Sequence, residues 1–368
     1  VTAHPKFTWH DTLGPSKVVH LYDPETGLKG IVVIDNVAAG PAIGGVRMAA
    51  DVSTEEVARL ARAMTLKNAA AGLPHGGGKA GICADPKTAE APRLVRAFAR
   101  AIRDLVEYIP GPDMGTNERS MAIVREETGR AVGLPRVLGG IPLDEIGATG
   151  FGLARCAEVA ATFAGINLKG ARLAVEGLGN VGRHAARSLA ELGVVLVAAS
   201  DRGGAIFSPE GLDLDQLEAA KGESGTVAAF KGGRRLTQAD LFLVDCDILI
   251  PAARPDCIRA DNADAIKARL VLQGANIPAT PEAETILHRR GVVNVPDFIA
   301  NAGGVICASV EYHGGTEADA LRRIADQIGR NTQEVLQRSQ EEGIEPRRAA
   351  VALATDRVRE AMSYRTPC

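Results

Sequence analysis

The stretch from Val175 to Asp201, VEGLGNVGRHAARSLAELGVVLVAASD, sets Gly177, Gly179 and Gly182 between a β-branched run and an amphipathic one. A second apolar run follows and ends at the aspartate. A lone G-x-G-x-x-G is weak evidence in a chain with 41 glycines. In this context it predicts strand, tight turn, helix and strand, the start of a parallel, doubly wound α/β sheet that binds a dinucleotide. Gly177 makes the turn, Gly179 lets backbone approach a pyrophosphate, and Gly182 lets helix meet sheet. The helix opening at Asn180 and Val181 offers free N–H groups to that anion. Asp201 is placed to accept hydrogen bonds from a ribose diol. Its charge favours NAD, while Arg202 beside it keeps NADP open because it pairs with a phosphate.

The surrounding pattern continues the alternation. A helix near 150–164 precedes this unit, and apolar strands near 247–251, 270–272 and 292–295 follow it. From about 316 the chain reads as helical to its end. The first third has a different texture. KVVHLYDPETGLKGIVVIDN predicts a hairpin. Ser53 and Glu56 form a capping box opening a helix that Gly72 closes, and further helices are expected near 91–107 and 117–132. The Gly- and Pro-rich stretch PRVLGGIPLDEIGATG is a candidate hinge between two α/β domains.

Composition narrows the function classes. A net charge of −3 over 368 residues gives no reason to expect a nucleic-acid or membrane surface, and no apolar run approaches a membrane span. VTAHPKFTWH lacks the regions of a signal peptide, so a cytoplasmic protein is expected. The six cysteines (Cys83, Cys156, Cys246, Cys257, Cys307, Cys368) are scattered and read as buried free thiols. No histidine pair has zinc-helix spacing, and no metal is expected.

A second glycine-rich stretch, GLPHGGGKAG at 72–81, places three glycines before Lys79. A phosphate loop needs a hydroxyl after the lysine and a strand before the glycines. Here Ala80 follows the lysine and a helix precedes the segment. On that helix Val57, Leu60, Met64, Lys67 and Ala71 share one face at offsets of three or four. A lysine on such a stripe either meets an anion or snorkels out at its end.

Taken together, MTLKNAAAGLPHGGGKAG, GPDMGTNERSM, GATGFG, GLGNVG and NVPDFIANAGGV resemble the glutamate/leucine/phenylalanine/valine dehydrogenases over nearly the whole chain, in order and spacing. That resemblance implies oxidative deamination of an L-amino acid to a 2-oxo acid and ammonia with a nicotinamide cofactor. It implies an N-terminal α/β substrate and oligomerisation domain over 1–138, with 346–368 packing back on it, and a Rossmann-type domain over 139–345. A homo-oligomer, hexamer or octamer, follows from it. Lys67 matches the lysine that binds the α-carboxylate, Lys79 the lysine that activates water, and Asp113 the aspartate that shuttles a proton at the substrate nitrogen. Thr149 and Asn276 match residues that hold the nicotinamide carboxamide and ribose, and Asn301 one where substrate and ribose meet. Gly44 and Val305 fall in the substrate-binding stretches. The three glycines are expected to let lysine, substrate and nicotinamide crowd together.

Substrate choice rests on two positions. Glutamate dehydrogenases show a lysine where Ile43 stands and a serine at the position of Ala308. A carboxylate against Ile and Ala is unpaired, which implies an apolar substrate such as leucine, valine or phenylalanine. A glutamate dehydrogenase with a rearranged pocket and a silent regulatory subunit are the alternatives. Ser309 lies one residue from the serine position. His75, where relatives carry Met or another apolar residue, either lines the pocket or hydrogen-bonds locally.

Overall fold

A computed structural model describes residues 10–365; the opening stretch read above for a leader, and Cys368, lie outside them. The chain divides into two compact units. One comprises the chain through Leu143, Val305–Ala320 and the chain from Val351; the other comprises Asp144–Gly304 and Leu321–Ala350.

The first unit is built on a five-stranded sheet, ordered β1-β2-β4-β3-β5. Strands β1 (Lys17–Asp23) and β2 (Leu28–Asn36) form the expected antiparallel hairpin. Then come β3 (Ala42–Met48), α1 (Thr54–Ala70), β4 (Gly76–Ile82), α2 (Ala91–Ala101), β5 (Tyr108–Pro112) and α3 (Glu118–Thr128). β3 runs parallel to β4 and β5, and β4 antiparallel to β2. One face of the sheet, with Leu28, Val32, Ile34 and Ala42, packs on Phe98 of α2 and Met121 and Val124 of α3. On the other, Ile31 and Val33 pack on Val57, Ala58 and Ala61 of α1.

The glycine-rich segment and the face of α1 both take forms that the sequence pattern does not give. The segment GGGKAGI is a strand at the centre of the sheet, buried throughout, although glycine disfavours strands. On α1 the buried residues are Val57, Ala58, Ala61, Thr65, Asn68, Ala69 and Ala70. Leu60, Met64 and Lys67 are half-buried at the margin of that face. The stripe is thus rotated by about one residue, because small side chains let helix and sheet approach. Ser53 does cap α1, accepting from the Glu56 N–H at 3.2 Å.

The second unit carries a seven-stranded sheet, ordered β12-β11-β10-β6-β7-β8-β9. Its elements are α4 (Ala148–Phe163), β6 (Arg172–Glu176), α5 (Asn180–Glu191), β7 (Val195–Asp201), β8 (Gly204–Phe207), α6 (Leu214–Ser224), β9 (Arg234–Leu236), β10 (Ile248–Pro251), α7 (Ala260–Ala263), β11 (Leu270–Leu272), α8 (Pro281–Arg289), β12 (Val293–Val295) and α9 (Asp297–Ala300). β6, β7, β10, β11 and β12 are parallel, and β8 and β9 extend the sheet antiparallel. Chain order reverses between β6 and β10, the switch point where such sheets open a crevice beyond their strand ends. Gly177 follows β6 at that point. Helices α10 (Gly303–Tyr312), α11 (Glu317–Glu342) and α12 (Pro346–Ser363) complete the chain. In the first unit, Arg357 of α12 donates to the Ala69 and Ala70 carbonyls at the end of α1.

Among the described residues no helix is long and apolar enough to cross a membrane. Cys156, Cys246, Cys257 and Cys307 are free and buried, whereas Cys83 is only half-buried, departing from the reading of all as buried. Burial pushes the thiols of Cys156, Cys246, Cys257 and Cys307 up to about 12, so they stay protonated.

Candidate active site

Side chains alternate across a strand, so one face of the first unit's sheet collects Ile43, Gly45 and Arg47 from β3, and Gly77 and Lys79 from β4. Ile109 and Gly111 of β5 lie on the same face, with Asp113 just beyond the strand. Lys79 Nζ reaches across β3 to Asp113 Oδ2 at 2.6 Å, its side chain only 9% exposed. It can do so because Gly45 has no side chain. A Cβ there would stand 2.8 Å from Asp113 Cβ and 3.2 Å from Lys79 Nζ.

The glycines before Lys79 make room for their neighbours in the fold. A Cβ on Gly76 would fall 1.8 Å from the Asn36 carbonyl oxygen, one on Gly77 2.0 Å from the Thr65 nitrogen of α1, and one on Gly78 2.9 Å from the Tyr108 ring. They admit neighbouring backbone and a buried ring, which fixes the strand that carries Lys79. Tyr108 is fully buried, and its hydroxyl donates to the Gly44 carbonyl at 2.8 Å. Burial, with the Asp113 charge, holds that phenol well above its ordinary range, so it remains a donor.

Burial raises the Asp113 carboxyl, but the Lys79 charge and hydrogen bond, the Met114 N–H and Arg47 outweigh it and hold the group below the usual range. Asp113 is therefore an ionised acceptor against a cation. Arg47 Nε lies 3.4 Å from Asp113, and Arg47 also pairs with Glu56 of α1. So Glu56 turns to Arg47, and the cap of α1 rests on Ser53. Asp113 is not the cap of the following helix either: Asn117 caps α3. Arg47 and Gly45 are the residues the sequence reading missed. Counting by twos from Ile43 along β3 reaches both.

At the other end of this face Ile43, Ile109 and Val132 form a buried cluster, with Ala308 of α10 packed against it. Val305, one turn before Ala308, is half-buried as well. Ser309 points elsewhere: it is buried, and its hydroxyl lies 3.0 Å from Nε2 of His75. Gly44 packs against the Gly78 carbonyl. Asn68, next to Lys67 on α1, donates to the Gly76 carbonyl at 2.7 Å and the Ile43 carbonyl at 3.5 Å, holding helix to floor.

In the second unit Gly177 has φ +92° and meets Ala253 where a Cβ would be, while Gly182 packs against the Gly177 carbonyl. Gly179 faces open space. Helix α5 begins without a side-chain cap, leaving its first N–H groups to an anion. A cleft of ≈ 550 Å³ opens beside it, lined among others by Leu178, Gly179, Asn180, Arg183 and Lys221. These features fit a pyrophosphate. Val181 is half-buried in the first turn of α5. Asp201 ends β7 as expected, and its carboxylate already accepts from Gly203 N at 2.9 Å, Thr226 Oγ1 at 2.7 Å and Val227 N at 2.8 Å. Lys221 stands 3.8 Å from it, and Arg202 is exposed next door. Thr149 lies in the first turn of α4, beside Gly304. Asn301 donates to the Gly274 and Ala275 carbonyls and to Asn276 Oδ1, while Asn276 itself is exposed. The next residue, Ile277, has φ +44°, and its N–H is held by Asp297, which pairs with Arg347 at 2.9 Å. That chain of contacts fixes the Asn276 loop.

Two family profiles cover the chain. The profile described as Glu/Leu/Phe/Val dehydrogenase, dimerisation domain, matches residues 15–130, and the glutamate/leucine/phenylalanine/valine dehydrogenase profile matches 139–366. The chain belongs to this family. Glutamate dehydrogenase of Thermotoga maritima is 41% identical over 91% of this chain and 86% of its own length. The NAD-specific glutamate dehydrogenase of Staphylococcus aureus is 37% identical, over 90% and 84%. Among solved structures, the hetero-hexameric glutamate dehydrogenase of Thermus thermophilus in a Leu-bound form superposes with a TM-score of 0.83 at 31% identity, covering 96% of this chain and 91% of that one. L-tryptophan dehydrogenase of Nostoc punctiforme gives 0.76 at 27%, covering 95% and 97%. As a member of the glutamate/leucine/phenylalanine/valine dehydrogenases, the protein is an amino-acid dehydrogenase acting on a CH–NH2 group by oxidative deamination. Its relatives include NAD-specific and NADP-specific enzymes, so its cofactor is a nicotinamide dinucleotide, NAD or NADP.

Proposed function

We propose that the enzyme deaminates L-amino acids with apolar side chains, branched aliphatic or aromatic. The observation that carries this reading is the contact of Ala308 with the Ile43, Ile109 and Val132 cluster on the face that bears Lys79. A substrate side chain laid there would meet the carbon of Ile43, Ile109, Val132 and Ala308. A γ-carboxylate would lose its water without gaining a partner, and leaving a buried charge unpaired costs about 3–5 kcal/mol. The likeness to a solved L-tryptophan dehydrogenase supports the reading. Glutamate is the competing substrate, since the Thermotoga relative is a glutamate dehydrogenase.

In the reaction Lys67 pairs with the substrate α-carboxylate and fixes Cα. Asp113, held ionised, takes a proton from the α-ammonium, so that the nitrogen lone pair can form the C=N bond. A nicotinamide bound beside the substrate would supply the acceptor for the hydride that leaves Cα. Lys79 orients a water whose oxygen bonds to the imino carbon as the C=N π pair returns to nitrogen. Asp113 then gives its proton back to that nitrogen, the C–N bond breaks to release ammonia, and the two protons of the water pass to solvent as the C=O of the 2-oxo acid forms. Thr149, Asn276 and Asn301 orient the nicotinamide end, while the N-terminus of α5 holds the pyrophosphate. The unit matched by the dimerisation profile forms the contacts of a homo-oligomer, hexamer or octamer, measurable by light scattering. Assaying NADH formation with leucine, valine, phenylalanine and glutamate tests the substrate assignment.

A further inference from the structure

His75 is almost completely buried and hydrogen-bonds to the two segments that carry Ile43 and Ala308. Its Nδ1 lies 3.3 Å from the Pro41 carbonyl, two residues before Ile43; its Nε2 lies 3.0 Å from Ser309 Oγ, one residue after Ala308. A carbonyl only accepts, so Nδ1 carries the proton and Nε2 accepts from the Ser309 hydroxyl. The ring also packs on Tyr312 and His313, at centroid distances of 5.8 Å and 5.2 Å. His313 in turn lies 2.8 Å from the Ser309 carbonyl through its own Nδ1. Burial, against the Pro41 hydrogen bond and with His313, pulls the His75 imidazole down to about 4. It stays neutral at physiological pH, so its two hydrogen bonds keep their sense.

We propose that His75 is a specificity-determining positioning residue: by bracketing Pro41 and Ser309 it sets the rotation of α10 that turns Ala308 toward Ile43 and keeps the Ser309 hydroxyl engaged outside the pocket. This rests on the apolar-substrate reading. Ser309 is the hydroxyl adjacent to the lining, and a buried hydroxyl without an acceptor seeks another polar partner. Freed, it becomes available to a polar or acidic substrate side chain. The bracket therefore rejects such substrates without itself touching them.

The test compares kcat/KM for leucine and for glutamate in H75L, H75Q and the double variant H75L/S309A. H75L removes both bonds, and the glutamate-to-leucine ratio is expected to rise at least about tenfold. H75Q keeps an amide that can donate to Pro41 and accept from Ser309, and should hold the ratio within about threefold of wild type. Adding S309A to H75L should bring the ratio back down. Should H75L fail to fold, H75N, whose shorter amide reaches Pro41 and not Ser309, is expected to give the same rise. An unchanged ratio in H75L or H75N, or an equal rise in H75Q, overturns the proposal. A wild-type enzyme confined to glutamate overturns the substrate reading instead, so the two failures are distinct.

Discussion

Lys79 Nζ lies 2.6 Å from Asp113 Oδ2, although β4, which carries Lys79, and β5, which Asp113 follows, are separated by β3. The ion pair spans that strand where Gly45 offers no side chain. The contact thus depends on a residue that carries no functional group.

Replacing Gly45 with Ala puts a methyl group 2.8 Å from both Asp113 Cβ and the Pro112 carbonyl oxygen. The pair must separate or the sheet must shift. A misplacement of about 1 Å lowers turnover about 10²-fold. G45A is therefore expected to lose kcat by about that factor while its affinity for the dinucleotide, measured by fluorescence titration, stays near wild type.

K79A and D113N are each expected to lower kcat by about 10²–10⁴-fold, the range for a positioned proton-transfer group. Stopped-flow measurement of NADH formation reads this directly. A rise in KM alone, with kcat retained, would place these two residues outside the chemical steps.

G182A is expected to strike the cofactor instead. Its methyl would sit 2.2 Å from the Gly177 carbonyl oxygen, forcing α5 away from β6. Overpacking of this kind costs about 1–3 kcal/mol. The KM for NAD should rise with little change in the KM for the amino acid, since Lys67, Lys79 and Asp113 belong to the other unit.

What the sequence made legible follows from range. The roles of Gly177, Gly179 and Gly182 could be read because turn, open backbone and helix–strand contact all lie within one short stretch. The strand β4 could not, because its glycines answer to Asn36, Thr65 and Tyr108, which are remote in the chain. The buried face of α1 was misjudged for a related reason: Ala58, Ala61 and Asn68 face the sheet, while the larger Leu60 and Met64 sit at its margin. Lys79 and Asp113 were found through motif resemblance, but their contact needed the fold. Arg47 was within reach of strand alternation from Ile43.

The pH dependence of stability should carry a signature of His75. Its folded-state value is depressed from 6.5 to about 4. The folded protein thus binds the proton less readily than the unfolded chain, so the stability contributed by the neutral ring is complete above about pH 6.5. That stability is lost as pH falls through about 4, by about 3 kcal/mol in total. Urea unfolding midpoints of wild type and H75Q should diverge over this window, the wild type falling more steeply with acid.

The most direct measurement is initial-rate NADH formation by the purified enzyme with leucine, valine, phenylalanine and glutamate, each with saturating NAD. The Ile43 and Ala308 lining predicts that kcat/KM for at least one apolar amino acid exceeds that for glutamate by about two orders of magnitude or more, consistent with an unpaired buried carboxylate. Turnover confined to glutamate would contradict it.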